Sequence, residues 1–592
     1  MIDFRLTRLL FAAGFAVLAG CQSAPQIAAT ESDDTSSAGI VSADTTPVIA
    51  RADPPPPETP IPADSLLPLL QAEFLLRERR FDDALALLTE QALLLSDPAL
   101  TRRALRLAEF QKDNSRALSL AIKLTEQDQS DAAAATTAMG LHIRAGDAQR
   151  ALQFARTARE RGARINAPAL LVVWESLTPA DQRAMATAIE SLAADWPDDT
   201  DIAIALAYLR LEQNNTEAAL AALAPVLERQ PDEERALLLW TQLQLDAGSS
   251  DPYKPIRAAV ERNPDNESLR LQYARLLASA ELIKPAQDQF AALITLNPRN
   301  GDYLFSLALL EIETQDLDKA LINLQALADL GQRPDEANYY LGRVHEGLGE
   351  DAMAIDAYDR VTPSRQFLDA ARRSAELRLN NGDTQAFQDG FTRSRAQYPG
   401  QAEQLYTLEA QLLREIDELE SAVEVYSEAL DLFPESMSLQ YGRAMTYEAL
   451  DDFAGMERDL RGILAREPNN ATTLNALGYT LTVHTQRYEE AAELIERALA
   501  LSPGEPAILD SLGWVYFKLG RYIQAVDLLS EAYQLFPDAE VAAHLGEALW
   551  VAGKEQDALA IWRSSLEQQP EASHVPETLE RLGVSLSASQ ID

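Results

Sequence analysis

The sequence is very poor in cysteine, since Cys21 is the only one in 592 residues. A single cysteine forms no internal disulfide and no cysteine-cluster zinc site. Basic residues are also scarce, with 51 Lys and Arg against 92 Asp and Glu and a formal charge of −41. A surface of that sign repels phosphate backbones, so the composition excludes a nucleic-acid-binding protein.

Glycine and proline are not abundant either, at 25 and 30 residues, which excludes a collagen-like or mainly disordered chain. After the first twenty residues no stretch approaches 18 consecutive apolar positions, which excludes a polytopic membrane protein. Hydrophobic residues nevertheless make up 47 % of the chain, which is enough to build the core of a soluble globular protein.

Motifs that carry catalysis are missing as well. The sequence contains no G-x-S-x-G elbow, no P-loop, no G-x-G-x-x-G and no H-E-x-x-H pair. The five histidines lie far apart, at His142, His345, His484, His544 and His574. We therefore predict no enzymatic activity, no cofactor and no metal site, and we interpret His345 as a hydrogen-bonded core residue.

The first twenty residues have the features of a secretory signal peptide. Arg5 and Arg8 supply the positive start, and Leu9–Leu18 forms an apolar segment too short for a stop-transfer helix. An ordinary signal peptide with a cysteine near its cleavage point is one interpretation. The segment Leu18-Ala19-Gly20-Cys21, however, resembles the lipobox of bacterial lipoproteins.

The lipobox resemblance implies that residues 1–20 are removed and that Cys21 carries acyl chains. Each buried methylene contributes about 0.8 kcal/mol, so several chains anchor a protein stably in a membrane. Gln22 follows the cysteine where retention at the inner membrane would favour Asp. The resemblance therefore implies a protein anchored by lipid in the outer membrane and facing the periplasm.

Residues 21–64 are predicted to be a disordered tether. After the cysteine this segment contains eight prolines and no aromatic residue. It has too little apolar area to offset the loss of chain entropy on folding. As a flexible coil it spans about 36 Å root-mean-square, so it holds a folded part away from the membrane.

Residues 65–570 repeat with a period close to 34 residues. Equivalent positions are Pro503, Pro537 and Pro570; Ala491, Ala525 and Ala558; and Gly478, Gly513 and Gly546. In the middle unit, small residues at Gly513 and Ala525 allow two antiparallel helices to approach closely. Ala532 lets the second helix pack on the next unit, and Pro537 ends that helix.

This pattern resembles the tetratricopeptide repeat (TPR), a helix–turn–helix unit. The resemblance implies an all-α fold, a TPR α-solenoid in which about 15 helix pairs stack into a right-handed superhelix with a concave groove. Generic HEAT-like helical repeats are an alternative for residues 99–196 and 362–400, where the small-residue positions blur. Residues 571–592 are predicted to form a capping helix, at Pro576–Leu582, and a polar tail.

Several aromatic side chains are candidates for binding a partner. Tyr479, Trp514, Phe517 and Trp550 fall on first helices at positions that usually face the groove, and His544 lies near Trp550. Exposed aromatic residues are favoured interface anchors. The alternative is that they fill gaps between turns of the superhelix. Trp562 occupies a second-helix position and is predicted to be a core residue.

Charge is distributed unevenly along the repeats. Residues 65–165 contain 15 basic and 13 acidic residues, so almost all of the negative charge lies beyond them. Seven arginines are clustered in the early repeats: Arg102, Arg103, Arg106, Arg156, Arg159, Arg161 and Arg164. This cluster predicts contact with an acidic partner or the membrane surface, unless it forms an ordinary solvated surface.

The C-terminal units carry a more specific resemblance. The runs NALGYTL (475–481), DSLGWVYFKLGRY (510–522) and AHLGEALW (543–550) resemble the large TPR outer-membrane lipoproteins of proteobacteria, including LbcA-type adaptors. The resemblance implies an adaptor that binds a periplasmic carboxy-terminal processing protease and presents cell-wall hydrolases as substrates. Alternatives are a scaffold of an envelope-assembly or exopolysaccharide-export machine and a direct peptidoglycan-binding module.

Overall fold

The computed structural model describes residues 61–585. The predicted signal peptide, the lipidation site Cys21, nearly all of the predicted tether and the last seven residues lie outside them. Within 61–585 the regular structure is helical throughout, as predicted. None of the helices in this range has both the length and the apolar character needed to cross a membrane. The chain divides after Pro298 into two compact bodies.

The N-terminal body consists of helix pairs with short connections. Its helices are α1 (Ala63–Arg77), α2 (Phe81–Leu94), α3 (Pro98–Phe110), α4 (Asn114–Gln127), α5 (Ala132–Arg144), α6 (Ala148–Glu160), a 3-10 segment (Ala167–Ser176), α7 (Pro179–Asp195), α8 (Thr200–Glu212), α9 (Thr216–Arg229), α10 (Glu234–Asp246), α11 (Lys254–Arg262), α12 (Glu267–Ser279) and α13 (Ile283–Leu296). The first helix thus begins two residues before the predicted start of the repeats.

The C-terminal body has the same organisation. Its helices are α14 (Gly301–Glu313), α15 (Leu317–Asp329), α16 (Pro334–Leu348), α17 (Asp351–Asp359), α18 (Phe367–Asn380), α19 (Thr384–Gln397), a 3-10 turn (Pro399–Gln401), α20 (Ala402–Glu415), α21 (Leu419–Leu432), α22 (Met437–Ala449), α23 (Phe453–Arg466), α24 (Ala471–His484), α25 (Tyr488–Leu501), α26 (Pro506–Lys518), α27 (Tyr522–Leu535), α28 (Ala539–Val551), α29 (Glu555–Gln568) and α30 (His574–Leu582). The last helix is the predicted cap and begins two residues earlier than expected.

Residues at the ends of these helices determine where each helix begins and ends. Many of them begin after an Asp, Asn or Ser whose side chain accepts a hydrogen bond from the first turn. At α24, for example, Asn470 Oδ1 accepts a hydrogen bond from the Thr473 backbone amide at 3.0 Å. Such a cap satisfies one of the helix's unpaired donors. Proline follows most of the second helices by two residues, as Pro537 follows α27.

Most connections inside a pair contain one residue with a left-handed backbone. Gly520 has φ +76° between α26 and α27, a conformation that glycine adopts without a steric penalty. Asp451 has φ +58° at the corresponding turn between α22 and α23. The turn therefore tolerates a non-glycine residue, which is why glycine is an incomplete marker of these turns in the sequence.

The packing inside and between pairs confirms the roles predicted for the small residues. A Cβ at Gly513 would lie 2.6 Å from Cγ of Leu529, so the residue allows close contact between α26 and α27. Ala525 is fully buried in the same contact. Ala532 packs with Val541 of the next pair. Trp562 is fully buried, which confirms its predicted place in the core.

The number of units also agrees with the prediction. Fourteen α-helix pairs, together with the 3-10 segment Ala167–Ser176 and α7, make fifteen two-helix units before α30. The 3-10 segment replaces a first helix inside the region where the repeat pattern is blurred. Pro168 and Pro179 bracket a stretch in which the expected small-residue positions are not filled. The described residues therefore form about 15 helix pairs, and each body is an all-α solenoid.

Candidate protein-binding groove

Four successive first helices of the C-terminal body, α22, α24, α26 and α28, line an open cavity of about 610 Å³. We call it the groove cavity. Its lining side chains include Tyr441, Met445, Glu448, Asn475, Tyr479, Asp510, Phe536, Glu540 and Val541. Tyr441, Asn475 and Asp510 are 34 and 35 residues apart, so they repeat with the period of the units. The repeat thus places one row of side chains along the groove.

Tyr479 lies in the wall of the groove cavity, where it is half-buried. Its hydroxyl donates a hydrogen bond to the Glu540 carboxylate, 61 residues further along the chain. Burial raises the pKa of the Tyr479 phenol, and this carboxylate raises it further. The phenol therefore stays a neutral donor that links α24 to α28 across the intervening pair.

Glu448 is a half-buried carboxylate in the same wall. Burial raises the pKa of Glu448, and the carboxylate of Glu540 adds to the shift. His484 and Arg414 oppose the shift by electrostatic attraction. The groove cavity therefore contains negative charge that the surrounding protein compensates incompletely.

Three of the predicted binding residues form one aromatic stack. Trp514 stacks on both Phe517 and His544, with ring centroids at 4.9 Å and 4.0 Å and nearly parallel planes. The Lys518 ammonium lies over the Trp514 ring, 4.3 Å from its centroid. Only 6 % of Trp514 is exposed, so this ring mainly packs α26 against α28.

His544 is fixed by Asp510 as well as by the stack. The imidazole Nδ1 lies 3.0 Å from Asp510 Oδ1, and both side chains are largely buried. This contact joins α26 to α28 next to the groove cavity. Asp510 also lines the groove cavity, so one carboxylate takes part in both arrangements.

Trp550 lies apart from the aromatic stack. It is partly buried, and its ring meets that of Trp562 at a centroid distance of 5.9 Å. A Cβ at Gly546 would overlap the Trp562 ring, so glycine is required for this close packing. Glu547 and Arg581 form two hydrogen bonds of 2.6 and 2.5 Å that join α28 to α30. Trp550 thus lies where the last pair meets the capping helix.

The structure therefore brings together Trp514, Phe517 and His544, places Tyr479 in the groove cavity and separates Trp550 from them. Binding by these five residues stays a prediction. The sequence reasoning missed Tyr441, Met445, Glu448 and Glu540 as wall residues. The 34-residue period, extended one unit upstream from Asn475, would have identified Tyr441.

Three further histidines have structural surroundings. His345 is buried, with its Nδ1 2.6 Å from Glu350 Oε2, which confirms its prediction as a hydrogen-bonded core residue. His142 stacks on Phe154, and His484 stacks on Phe453. Over residues 61–585, no group of three or more His, Cys, Asp or Glu side chains is arranged to hold a metal ion.

The arginine cluster of the N-terminal body is largely engaged in ion pairs within that body. Arg102 contacts Asp128 at 3.1 Å and Asp131 at 2.8 Å. The Arg161 guanidinium donates a hydrogen bond to the Thr125 carbonyl oxygen at 3.0 Å. Further pairs join Arg103 to Glu73, Arg156 to Asp195 and Arg159 to Asp199. These contacts join neighbouring units, and they support the interpretation of the cluster as part of the solenoid surface.

The tetratricopeptide-repeat family profiles match residues 469–538 and 511–573. The chain is 34 % identical to TPR repeat-containing protein PA4667 of Pseudomonas aeruginosa over 486 residues, which cover 82 % of each protein. It is 22 % identical to the mitochondrial import receptor subunit TOM70 of Rattus norvegicus, over 47 % of this chain and 41 % of that protein.

Among solved structures, the TPR protein TTC0263 of Thermus thermophilus aligns over its whole length with 31 % of this chain, at 22 % identity and a TM-score of 0.28. MamA of Desulfovibrio magneticus aligns with 29 % of the chain at a TM-score of 0.26. The family assignment rests on the long match to the Pseudomonas protein and on the repeat profiles. The chain belongs to the family of TPR repeat-containing proteins.

Proposed function

We propose that this chain is a non-enzymatic, lipid-anchored adaptor at the outer membrane. It binds a periplasmic carboxy-terminal processing protease and presents cell-wall hydrolases to it. TPR solenoids are generally scaffolds for binding other proteins, and their elongated concave surfaces suit that role. The lipobox at Cys21 and the likeness of residues 475–550 to LbcA-type lipoproteins support the more specific assignment.

The observation that carries the proposal is the groove cavity. A cavity of about 610 Å³ with aromatic, apolar and acidic walls has the mixed chemistry of a recognition site. Four successive first helices build it, so a partner segment that lies along it contacts several units at once. Recognition then follows from the shape and charge of a rigid surface.

An adaptor of this kind increases the rate of a reaction that it does not catalyse. Two proteins bound to one scaffold meet at a high effective concentration. A flexible tether of about 36 Å root-mean-square lets the solenoid sample the space next to the membrane. Proteolysis of cell-wall hydrolases is then concentrated where these enzymes act.

The proposal is tested with the purified chain from residue 22 onward, the processing protease of the same bacterium and a cell-wall hydrolase. We expect hydrolase cleavage to be much faster when the chain is present, and we expect Met445→Arg to reduce this stimulation. Ile523→Arg is the matched control, because Ile523 is 79 % exposed and lies outside the groove cavity.

Two other results would favour a different function for the chain. Binding to export or assembly components with no effect on the protease would favour an envelope scaffold. Sedimentation of the purified chain with isolated cell-wall sacculi, in the absence of any protein partner, would favour a peptidoglycan-binding module. Equal loss of stimulation in Met445→Arg and Ile523→Arg would remove the groove cavity from the mechanism.

A further inference from the structure

The groove cavity has one sign of charge. Five acidic residues line it: Glu448, Glu505, Asp510, Asp538 and Glu540. Neither lysine nor arginine is among its lining residues. A partner that enters the cavity therefore meets a negative potential from several sides.

Internal partners neutralise only part of this charge. Asp510 Oδ1 lies 3.0 Å from His544 Nδ1. Asp538 caps α28, and its Oδ1 accepts a hydrogen bond from the Glu540 backbone amide at 2.9 Å. Glu540 accepts a hydrogen bond from Tyr479, which is a neutral donor. His484 and Arg414 act on Glu448 only as neighbouring charges. The cavity therefore favours a ligand that brings positive charge of its own.

Apolar side chains also line the cavity. They include Tyr441, Met445, Met456, Ile508 and Val541. A partly apolar wall lowers the local dielectric, which strengthens the attraction between a wall carboxylate and a ligand cation. It also favours an apolar side chain next to that cation.

One polar group in the wall lacks a hydrogen-bond partner within the protein. Asn475 lines the cavity, and its Oδ1 is buried without a hydrogen-bond partner. A buried amide oxygen left unpaired costs free energy, so a donor supplied from the cavity is favourable. The backbone N–H of a peptide that lies along the groove can satisfy this oxygen after rotation of the side chain.

We propose that the groove cavity binds a short peptide segment of a partner protein in which a lysine or arginine is flanked by apolar residues. The cation lies between Glu448 and Glu540, and the flanking side chains contact Tyr441 and Met445. The proposal rests on the protein-binding role of the groove but not on which protein binds there. It excludes acidic segments and phosphorylated ligands from this site.

The test measures fluorescence anisotropy with the full chain from residue 22 onward. The probe is a short fluorescein-labelled peptide in which lysines alternate with leucine and tyrosine. The comparison peptide has glutamate in place of every lysine. We expect saturable binding of the lysine peptide that weakens with salt, and no binding of the glutamate peptide.

Glu448→Gln keeps the shape of the side chain and removes its charge, so we expect roughly tenfold weaker binding of the lysine peptide, about 1.4 kcal/mol. Met445→Gln is also expected to weaken it, because it makes the apolar wall polar. Glu424→Gln is the matched control, since Glu424 is exposed on α21 and does not line the cavity. Thermal unfolding of each variant verifies that it is folded.

Equal binding of the glutamate peptide, no binding of either peptide, or equal affinities for Glu448→Gln and Glu424→Gln would overturn the inference. Displacement of the lysine peptide by spermidine at equal concentration would indicate a site for free cations and would also overturn it. If the chain stimulates the protease without binding the lysine peptide, only this inference fails. If it binds that peptide without affecting the protease, only the adaptor function fails.

Discussion

The arginine-rich start of the N-terminal body and the last four pairs of the C-terminal body use charge differently. In the first region, arginines from one unit meet carboxylates or carbonyl oxygens of a neighbouring unit, as Arg102 meets Asp131. In the second, Glu448 and Glu540 line a cavity without an ion pair to a lysine or arginine in the structure described. Arginines also join units in the second region, as Arg461 meets Glu490, but there negative charge faces open space as well.

This difference shows why charge along a sequence is a weak guide to a binding surface. A cluster of arginines is visible at once in the sequence, but its partners lie 26 to 40 residues away and are found only in the fold. The five acidic groove residues come from three different units, and they gather only when the units stack.

The largest expected effect separates a fully buried tryptophan from a partly buried one near the capping helix. Trp562→Ala removes a fully buried ring, and we expect it to cost about 3–5 kcal/mol of local unfolding free energy in α28–α30. Trp550→Ala removes a partly buried ring and is expected to cost clearly less. Hydrogen exchange of residues 539–582 measures both. Equal losses would contradict the distinction between the two tryptophans.

The second prediction compares ion pairs in the two bodies. Arg443 contacts Asp459 at 2.7 and 2.8 Å, and Asp459 is 2 % exposed. Arg443→Ala leaves that carboxylate buried and unpaired, and we expect a loss of about 3 kcal/mol. Arg102→Ala breaks a more exposed pair, so its cost should stay below about 1 kcal/mol.

The double variant Arg443→Met/Asp459→Leu checks the physical reason for that loss. If the unpaired carboxylate causes it, replacing both partners with apolar side chains restores most of the stability. Hydrogen exchange of residues 437–466 reports the result. A double variant as unstable as Arg443→Ala would show that packing by the arginine, and not charge, is responsible.

The third prediction concerns acidification of the N-terminal body. Burial lowers the pKa of His142, although Asp147 opposes the shift. Unfolded histidine gains a proton below its ordinary pKa of about 6.5, whereas buried His142 does so only at lower pH. Stability of α5 and α6 should therefore fall as the pH drops below about 6.5, by at most about 1.4 kcal/mol per unit. His142→Leu should remove this dependence in hydrogen exchange of residues 132–160.

The smallest prediction has the opposite sign in the C-terminal body. Because the pKa of Glu448 is raised in the folded protein, folding takes up a proton there, and the stability contributed by this site increases as the pH falls through that pKa. Glu448→Gln should remove the dependence and stabilise α22–α24 by less than about 1 kcal/mol at neutral pH. Hydrogen exchange of residues 437–484 at two pH values checks this. A loss of stability in Glu448→Gln would show that the folded protein already compensates the negative charge of Glu448.

Much of the fold could be predicted because the repeat is local. The 34-residue period, the small residues at Gly513 and Ala525 and the core position of Trp562 follow from packing within or between adjacent helices. The 3-10 segment Ala167–Ser176 could not be placed, because the repeat pattern blurs there and periodicity does not distinguish it from a helix.

The groove was harder to predict than the fold. Trp514 occupies a position that usually faces the groove, but His544 of the next unit covers its ring. Tyr479 is bound to Glu540 two units away, a contact with no signature along the chain. Side chains at groove positions thus contact residues of later units, and the stacking of units decides which of them remain open.

The most direct test of the protein-binding groove is site-specific photocrosslinking in living cells. A benzophenone amino acid replaces Met445 in the groove cavity or Ile523 on the exposed surface of α27. We predict crosslinks at position 445 to a periplasmic processing protease or its hydrolase substrates, which diminish when Glu448→Gln is added. Crosslinks to such partners at position 523 and none at position 445 would contradict the account.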